Sequence, residues 1–362
     1  MGAATLCGAL LLTACGSNGK SSPPPSPSGP SASGIACGKP ETLLASGSTA
    51  QQNAMQVWVK DYMQACPGSK INYKGTGSGA GQTEFLQGST AFAGSDSPLT
   101  SQQIAQSTGA CSHGGHAIDL PMVGGPIAIG YNLPGVPNLT LDAPTLAKIF
   151  SSRITKWNDP QIAKLNPGAK LPSTTIQPFH RADASGTTDN FTSYLSAVAP
   201  SAWPYSHGKQ WTATGGQSAV GSAGVTSQVR QTPGAIGYME LSYAISANLL
   251  LASIATGAQM PVYPNVMSAS KALSNAKIVG TGDDLTLKLD YSTKAPEAYP
   301  IDLVTYEIVC DKGNKPNTWD TTRAFLTYVA GRQGQANLSF EGYAPLSAAI
   351  LDKVRSAVDH LS

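Results

Sequence analysis

The sequence predicts an α/β fold, and three observations carry the prediction. Short apolar strand-like runs alternate with helical-period segments from Glu41 to about Tyr131, the alternation resumes further along the chain, and the strand-to-helix turns are rich in Gly, Ser and Thr. Residues 37–362 suffice for two domains of the usual size, about 100–200 residues each. Charged residues make up 12% of the chain and the net charge is +2, with no basic run. No nucleic-acid partner is expected from such a balance.

At the start of the chain, residues 1–14 are small and apolar and lead into Leu11-Leu12-Thr13-Ala14-Cys15. Small residues before a Cys after an apolar run are the pattern of a bacterial lipoprotein signal, with the lipid on Cys15. The run is too short to span a bilayer as a helix. No Lys or Arg precedes it, so the true start is expected upstream. From residue 15 to 36 the chain is a Ser/Pro-rich tether, with too little apolar surface to offset its ordering entropy. A lipid and a tether place the folded part on the extracytoplasmic face of the cell membrane.

The first strand, Thr42 to Ala45, runs through Gly47-Ser48-Thr49 into a helix whose Met55, Trp58, Val59, Tyr62 and Met63 recur at helical spacing. Ser48 or Thr49 is its expected cap. A second strand, Ile71 to Lys74, ends in Gly75-Thr76-Gly77-Ser78-Gly79-Ala80-Gly81, a set of free N–H groups with one hydroxyl. A third short strand ends in Gly94-Ser95-Asp96, ahead of a helix capped at Thr100 with Gln103 three residues on. Later helices are expected over residues 141–150, 161–165, 319–330 and 348–361, and strands over 176–179, 235–239 and 301–309.

Six cysteines occur, four of them beyond the signal and the lipid site. An even four in an exported chain reads as two disulfides. Cys37 and Cys66 each precede a strand-like run by a few residues, so adjacent parallel strands would join them. Cys111 precedes a strand beginning near Ala117 and Cys310 ends another, so an antiparallel pairing would join those two. Cys111-Ser112-His113-Gly114-Gly115-His116 is read as a loop, and no metal site is expected.

Arg181-Ala182-Asp183-Ala184-Ser185-Gly186-Thr187 lies between a strand and a helix with an apolar face of Phe191, Tyr194, Leu195 and Val198. It combines a fixed cation, a carboxylate to orient it, and the unpaired N–H groups of a helix N-terminus, which together suit a small oxyanion. By itself the stretch fits a capped surface helix with a nearby ion pair equally well. Asp96 belongs in an anion seat only if the ligand carries a proton, because a buried, unpartnered carboxylate facing a fully ionised anion is costly.

These four turns, with Ile154-Thr155-Lys156-Trp157-Asn158-Asp159-Pro160 and Gly234-Ala235-Ile236-Gly237-Tyr238, resemble the PstS-type phosphate-binding protein of the ABC phosphate importer in its actinobacterial lipoprotein form. The resemblance implies a two-lobed periplasmic-binding-protein fold of type II with a two-strand hinge. It implies domain 1 from residues 37–130 plus 300–362, domain 2 from 131–299, and the ligand in the interdomain cleft. Ser48, Thr49, Ala50, Ser78, Asp96, Arg181, Ser185, Gly186 and Thr187 would hold inorganic phosphate, and Asp183 would orient Arg181. Asp96 would select phosphate over sulfate. Ala184 stands where Gly is common, which is harmless at negative φ, and Ala50 stands where a bulkier apolar residue occurs. The implied protein is a monomeric binding protein without cofactor that serves the permease subunits of an importer. The alternatives are a binding protein for another tetrahedral oxyanion and an exported phosphatase using Ser78 or Ser185, for which Asp96 is the one candidate base.

Overall fold

A computed structural model describes residues 34–362; the expected signal, Cys15 and most of the tether lie outside the described residues. The chain opens with β1 (Thr42–Gly47), α1 (Gln52–Ala65), β2 (Lys70–Gly75), α2 (Ser78–Leu86), β3 (Phe92–Ser95), α3 (Ser101–Gln106) and the long β4 (Ala117–Tyr131). It continues through β5 (Thr140–Asp142), α4 (Ala143–Phe150), α5 (Pro160–Leu165), β6 (Gln177–Arg181), α6 (Gly186–Val198), β7 (Gln217–Ala219), α7 (Gly221–Gln231), β8 (Ala235–Glu240) and α8 (Leu241–Ser246). The remainder is β9 (Leu250–Leu251), β10 (Ser253–Ala255), α9 (Val266–Leu273), β11 (Lys277–Ile278), β12 (Leu287–Lys288), β13 (Asp302–Cys310), α10 (Trp319–Ala330), α11 (Arg332–Gln335) and α12 (Ala348–His360).

The main sheet runs β2-β1-β3-β13-β4-β8-β6-β7, with β9 beside β4. It consists of two parallel units, β1 with β2 and β3, and β6 with β7 and β8. Antiparallel strands β13 and β4 join them. Along β4, Ala117 to Pro126 pair with β13, whereas Ile127 to Tyr131 pair with β8. One continuous strand, buried at all its positions, therefore serves both halves. Asp119, Pro121 and Gly124-Gly125-Pro126 interrupt its apolar pattern, so the sequence marks only a start near Ala117.

Two main apolar cores flank this junction, giving the two-lobed periplasmic-binding-protein fold. One gathers Leu43, Trp58, Tyr62, Phe92, Phe325 and Val354; the other gathers Ile129, Phe150, Trp157, Phe191, Trp203 and Tyr238. Ala269, Leu273, Leu285 and Leu287 pack in the first core although they fall within residues 131–299. They do so because α9 lies against β4 and β13.

Local expectations met the tertiary structure unevenly. Thr100 and Gln103 form a reciprocal capping box, and the Ser185 side chain accepts from the Thr188 N–H at 3.3 Å to cap α6. At α1 the expected cap is corrected. The helix starts at Gln52 after Gln51, which makes no side-chain cap, and the Ser48 hydroxyl instead accepts from the N–H groups of Ala50 and Gln51 at 3.0 and 3.4 Å. Met55, Trp58 and Tyr62 are buried, while Met63 and Val198 at the ends of their stripes are exposed. Disulfides join Cys37 to Cys66 and Cys111 to Cys310. The registers explain both: β1 and β2 run parallel from Thr42 opposite Lys70, and Cys310 lies opposite Ala117 in an antiparallel pair.

Candidate functional site

The carboxyl ends of the parallel strands β1, β2 and β3 meet the carboxyl ends of β6 and β8 across the junction. Crevices at such strand ends are where open α/β sheets bind ligands. The helices that follow supply N-termini. Ser78 is the first residue of α2, Gly186 of α6 and Gly221 of α7.

Asp96, just after β3, is 3% exposed and lies at the centre of a web of hydroxyls. Ser48 donates to its Oδ1 at 2.5 Å, Thr305 to the same oxygen at 2.9 Å, and Ser78 to Oδ2 at 3.1 Å. Burial pushes this carboxyl up to about 6; the Glu240 charge adds to the rise, and the hydrogen bonds from Ser48, Thr305 and Ser78 oppose it. Asp96 can thus hold or receive a proton near neutral pH.

Arg181, the last residue of β6, is 2% exposed. Its Nε donates to Asp183 Oδ1 at 2.9 Å and its Nη2 pairs with Asp183 Oδ2, the two-point geometry that fixes a guanidinium plane. Nη1 reaches Ser222 Oγ at 3.2 Å and Thr187 Oγ1 at 3.4 Å. Burial works against the Arg181 charge, but the hydrogen bond and charge of Asp183 and the charge of Glu240 raise its pKa. Asp183 is held below the ordinary carboxylate range, since Arg181 and the Gly221 N–H outweigh its burial.

The lobes touch directly around these two residues. The Gly186 N–H donates to Ser78 Oγ at 3.1 Å, Asn190 Nδ2 to the Asp96 carbonyl at 2.8 Å, and the Gly79 N–H to the Ala184 carbonyl at 2.9 Å. Thr49 and Ser222 exchange a hydroxyl hydrogen bond of 2.9 Å, and Tyr243 donates to the Thr49 carbonyl at 2.9 Å. Two glycines make this approach possible. A Cβ at Gly186 would lie 2.5 Å from the Asp96 Cβ and 2.8 Å from Ser78 Oγ, and one at Gly77, whose φ is +92°, would lie 2.5 Å from Asp183 Oδ2. The Gly-rich turn after β2 therefore makes room for the opposite lobe, but its N–H groups, expected to be free, are engaged: those of Thr76 and Gly77 donate to the Gly47 carbonyl at 2.9 and 2.8 Å, and that of Gly79 to the Ala184 carbonyl.

All ten residues expected at the site are gathered here. Ser48, Ser78, Asp96 and Gly186 are joined by consecutive hydrogen bonds, and Arg181, Asp183 and Thr187 surround Ser222, which meets Thr49. Ser185 begins the helix behind them. Ala50 is fully buried in the core of the opposite lobe, with its N–H on Ser48 Oγ. Ala184 is not among the residues with positive φ. Sequence reasoning missed Ser222, Glu240, Thr305 and Asn190. Ser222 follows a Gly and precedes Val225 and Val229, one turn apart; Glu240 follows the apolar run Ile236 to Met239; Thr305 interrupts an apolar strand. Each is a polar residue at the end or middle of an apolar element, a pattern that identifies a site only after the elements have been assembled.

Residues 26–333 match the PBP superfamily domain family. Over 358 residues the chain is 42% identical to the phosphate-binding protein PstS 3 of Mycobacterium tuberculosis strain H37Rv and 43% identical to PstS 2 of the same strain, covering 98% of this chain and 96% of each relative. Among solved structures it is similar to PfluDING, a high affinity periplasmic phosphate-binding protein bound with phosphate, with a TM-score of 0.72 at 22% identity over 87% of this chain and 93% of that one. A phosphate binding protein from Stenotrophomonas maltophilia gives a TM-score of 0.69 at 20% identity over the same shares. At these identities the structural likeness establishes the fold alone.

Proposed function

Because the chain belongs to the PBP superfamily and to the PstS phosphate-binding proteins within it, we propose that it binds inorganic phosphate between its lobes and delivers it to the permease subunits of an ABC phosphate importer. The observation that carries the proposal is the juxtaposition of buried Arg181, fixed by Asp183, with buried Asp96 among hydroxyls and three helix N-termini. An always-charged fork attracts a tetrahedral oxyanion, and an adjacent acceptor rewards a ligand that keeps a proton. Sulfate, fully ionised near neutral pH, leaves Asp96 facing an anion with nothing to donate.

In this reading Ser48, Thr49, Ala50 and Ser78 contact phosphate from the lobe of residues 37–130 plus 300–362, and Arg181, Ser185, Gly186 and Thr187 from residues 131–299. The strand pair β4 and β13 forms the hinge, and hinge closure buries the ligand. The protein is a monomer held by a lipid on Cys15 at the extracytoplasmic face of the membrane. No helix among the described residues is long and apolar enough to cross a membrane. A binding role is favoured over a phosphatase because the lone pairs needed for attack are committed to backbone N–H groups: Ser185 Oγ caps α6, and Ser78 Oγ accepts from the Asp96 and Gly186 N–H groups, so that only its proton, which rests on Asp96 here, is left to turn to phosphate.

Calorimetric titration of ligand-stripped protein with phosphate and with sulfate tests the proposal. Tight phosphate binding with no sulfate heat is expected. Asp96→Asn should weaken phosphate by roughly ten- to a hundredfold, the value of a hydrogen bond to a charged group, and admit sulfate. A folded wild type that ignores phosphate overturns the reading.

A further inference from the structure

Resting on the phosphate reading, we propose that Glu240 is a specificity-determining positioning residue, which turns the Thr187 hydroxyl into a second proton acceptor so that the site prefers the doubly protonated, singly charged form of phosphate. Thr187 and Glu240 are both buried, and Thr187 Oγ1 donates to Glu240 Oε1 at 2.5 Å. A threonine hydroxyl has one proton. With that proton committed to a carboxylate, Thr187 Oγ1 offers only lone pairs, and one already faces Arg181 Nη1 at 3.4 Å. A ligand oxygen meeting the remaining lone pair has to bring its own proton. Asp96 makes the same demand from the other lobe.

The charges agree with this assignment. One guanidinium, Arg181, stands among the carboxyl groups of Asp96, Asp183 and Glu240, with buried Glu307 and Tyr73 beside Asp96; the other titratable groups that feel the Glu240 charge are Tyr243 and Tyr343, with Tyr238 beside Arg181. Glu240 Oε2 has no hydrogen-bond partner among the described residues. A carboxylate held this way in the floor of an anion site would only weaken binding of an unprotonated ligand. It is explained if its task is to orient the Thr187 hydroxyl.

The test is phosphate calorimetry at about pH 6 and about pH 8, a span over which inorganic phosphate passes from mainly monoanion to mainly dianion. Wild-type affinity should rise roughly three- to fivefold toward the acid end: the binding-competent fraction of ligand grows about sevenfold, and half-protonation of the acceptor Asp96 at about pH 6 takes back about a factor of two. Glu240→Gln can donate its amide to Thr187 and free the threonine proton for the ligand, so its pH ratio should fall below about twofold. Thr187→Val, which keeps the Glu240 charge but removes the relay, should lose the ratio as well, whereas Thr187→Ser should retain it. The double variant Glu240→Gln with Thr187→Val should behave like either single one. Equal pH ratios in wild type and Glu240→Gln overturn the inference while leaving phosphate binding intact; loss of the ratio in Glu240→Gln but not in Thr187→Val assigns the effect to charge alone and also overturns it. Absence of phosphate binding by wild type at both pH values would instead remove the functional reading on which it rests.

Discussion

Arg181 shows how much of the site depends on the geometry of single side chains. Its fork is locked by Asp183 on one edge and reaches Ser222 and Thr187 on the other, so charge alone does not reproduce it. Arg181→Lys keeps the charge but gives up the planar, two-point contact. We expect phosphate affinity to fall by at least about a hundredfold in this variant, within the 2–5 kcal/mol range for breaking a buried charge pair. Asp183→Asn should cost less, about tenfold, because the Gly221 N–H and the fork retain a neutral acceptor. Calorimetry of both variants ranks them; an Arg181→Lys protein with wild-type affinity would show that the fork is dispensable.

At the level of elements, the start of α6 separates capping from closure. Ser185 caps the helix, so Ser185→Ala should destabilise the protein by about 1 kcal/mol and Ser185→Gly by a few tenths. Gly186, the next residue, has the opposite signature. Alanine is the better helix former, yet its Cβ would meet Asp96 and Ser78 of the other lobe. Gly186→Ala should leave the urea midpoint nearly unchanged and weaken phosphate binding more than about tenfold, by holding the lobes apart. A variant that loses stability and keeps affinity would reverse this assignment. The N-terminus of α7 belongs to the same layer: its Gly221 and Ser222 N–H groups reach Asp183 and Thr49, so three helices converge at the cleft where the sequence disclosed two.

For the molecule as a whole, buried carboxylates set the response to pH. Burial pushes Asp96 up to about 6 and Asp119 up to about 7, with the Glu240 charge adding at the first and that of Asp284 at the second. Both values lie above the ordinary 3.8, so the folded ligand-free protein holds more protons than the unfolded chain between about pH 4 and 7. Stability should therefore be greatest at the acid end of that window and fall by a few kcal/mol as pH rises through it, and the fall should continue above it, because burial also holds Asp302 and Glu307 well above the ordinary carboxylate range. Asp183, held down by Arg181, acts in the other sense, and its contribution is lost only at lower pH. Urea midpoints at about pH 5 and about pH 8 measure the slope, which Asp119→Asn should flatten; a midpoint that rises across the window contradicts it. The disulfides act through the unfolded chain. Cys111–Cys310 spans 199 residues and Cys37–Cys66 spans 29, so replacing the first pair by Ser should cost about 1–2 kcal/mol more than replacing the second. Equal losses in urea unfolding would show that loop closure does not govern them.

The sequence by itself determined the parts whose causes are local. Apolar period and turn chemistry marked β1, β2, β6, α1, α6 and α10, the Thr100 and Ser185 caps follow from side chains reaching their own helix ends, and strand order placed the four cysteines in pairs. Four turns with an Arg, an Asp and converging N–H groups made the candidate anion seat legible, because each motif lies within a few residues of chain. Only the tertiary structure decided what depends on distant segments meeting. It ran β4 through both lobes, moved residues 269–287 onto the first core, and brought Ser222, Glu240, Asn190 and Thr305 beside residues far from them in sequence. The physical reason is that a hydrogen bond between Thr187 and Glu240, or the clearance at Gly186, is set by how the two lobes pack, and no local propensity encodes that separation.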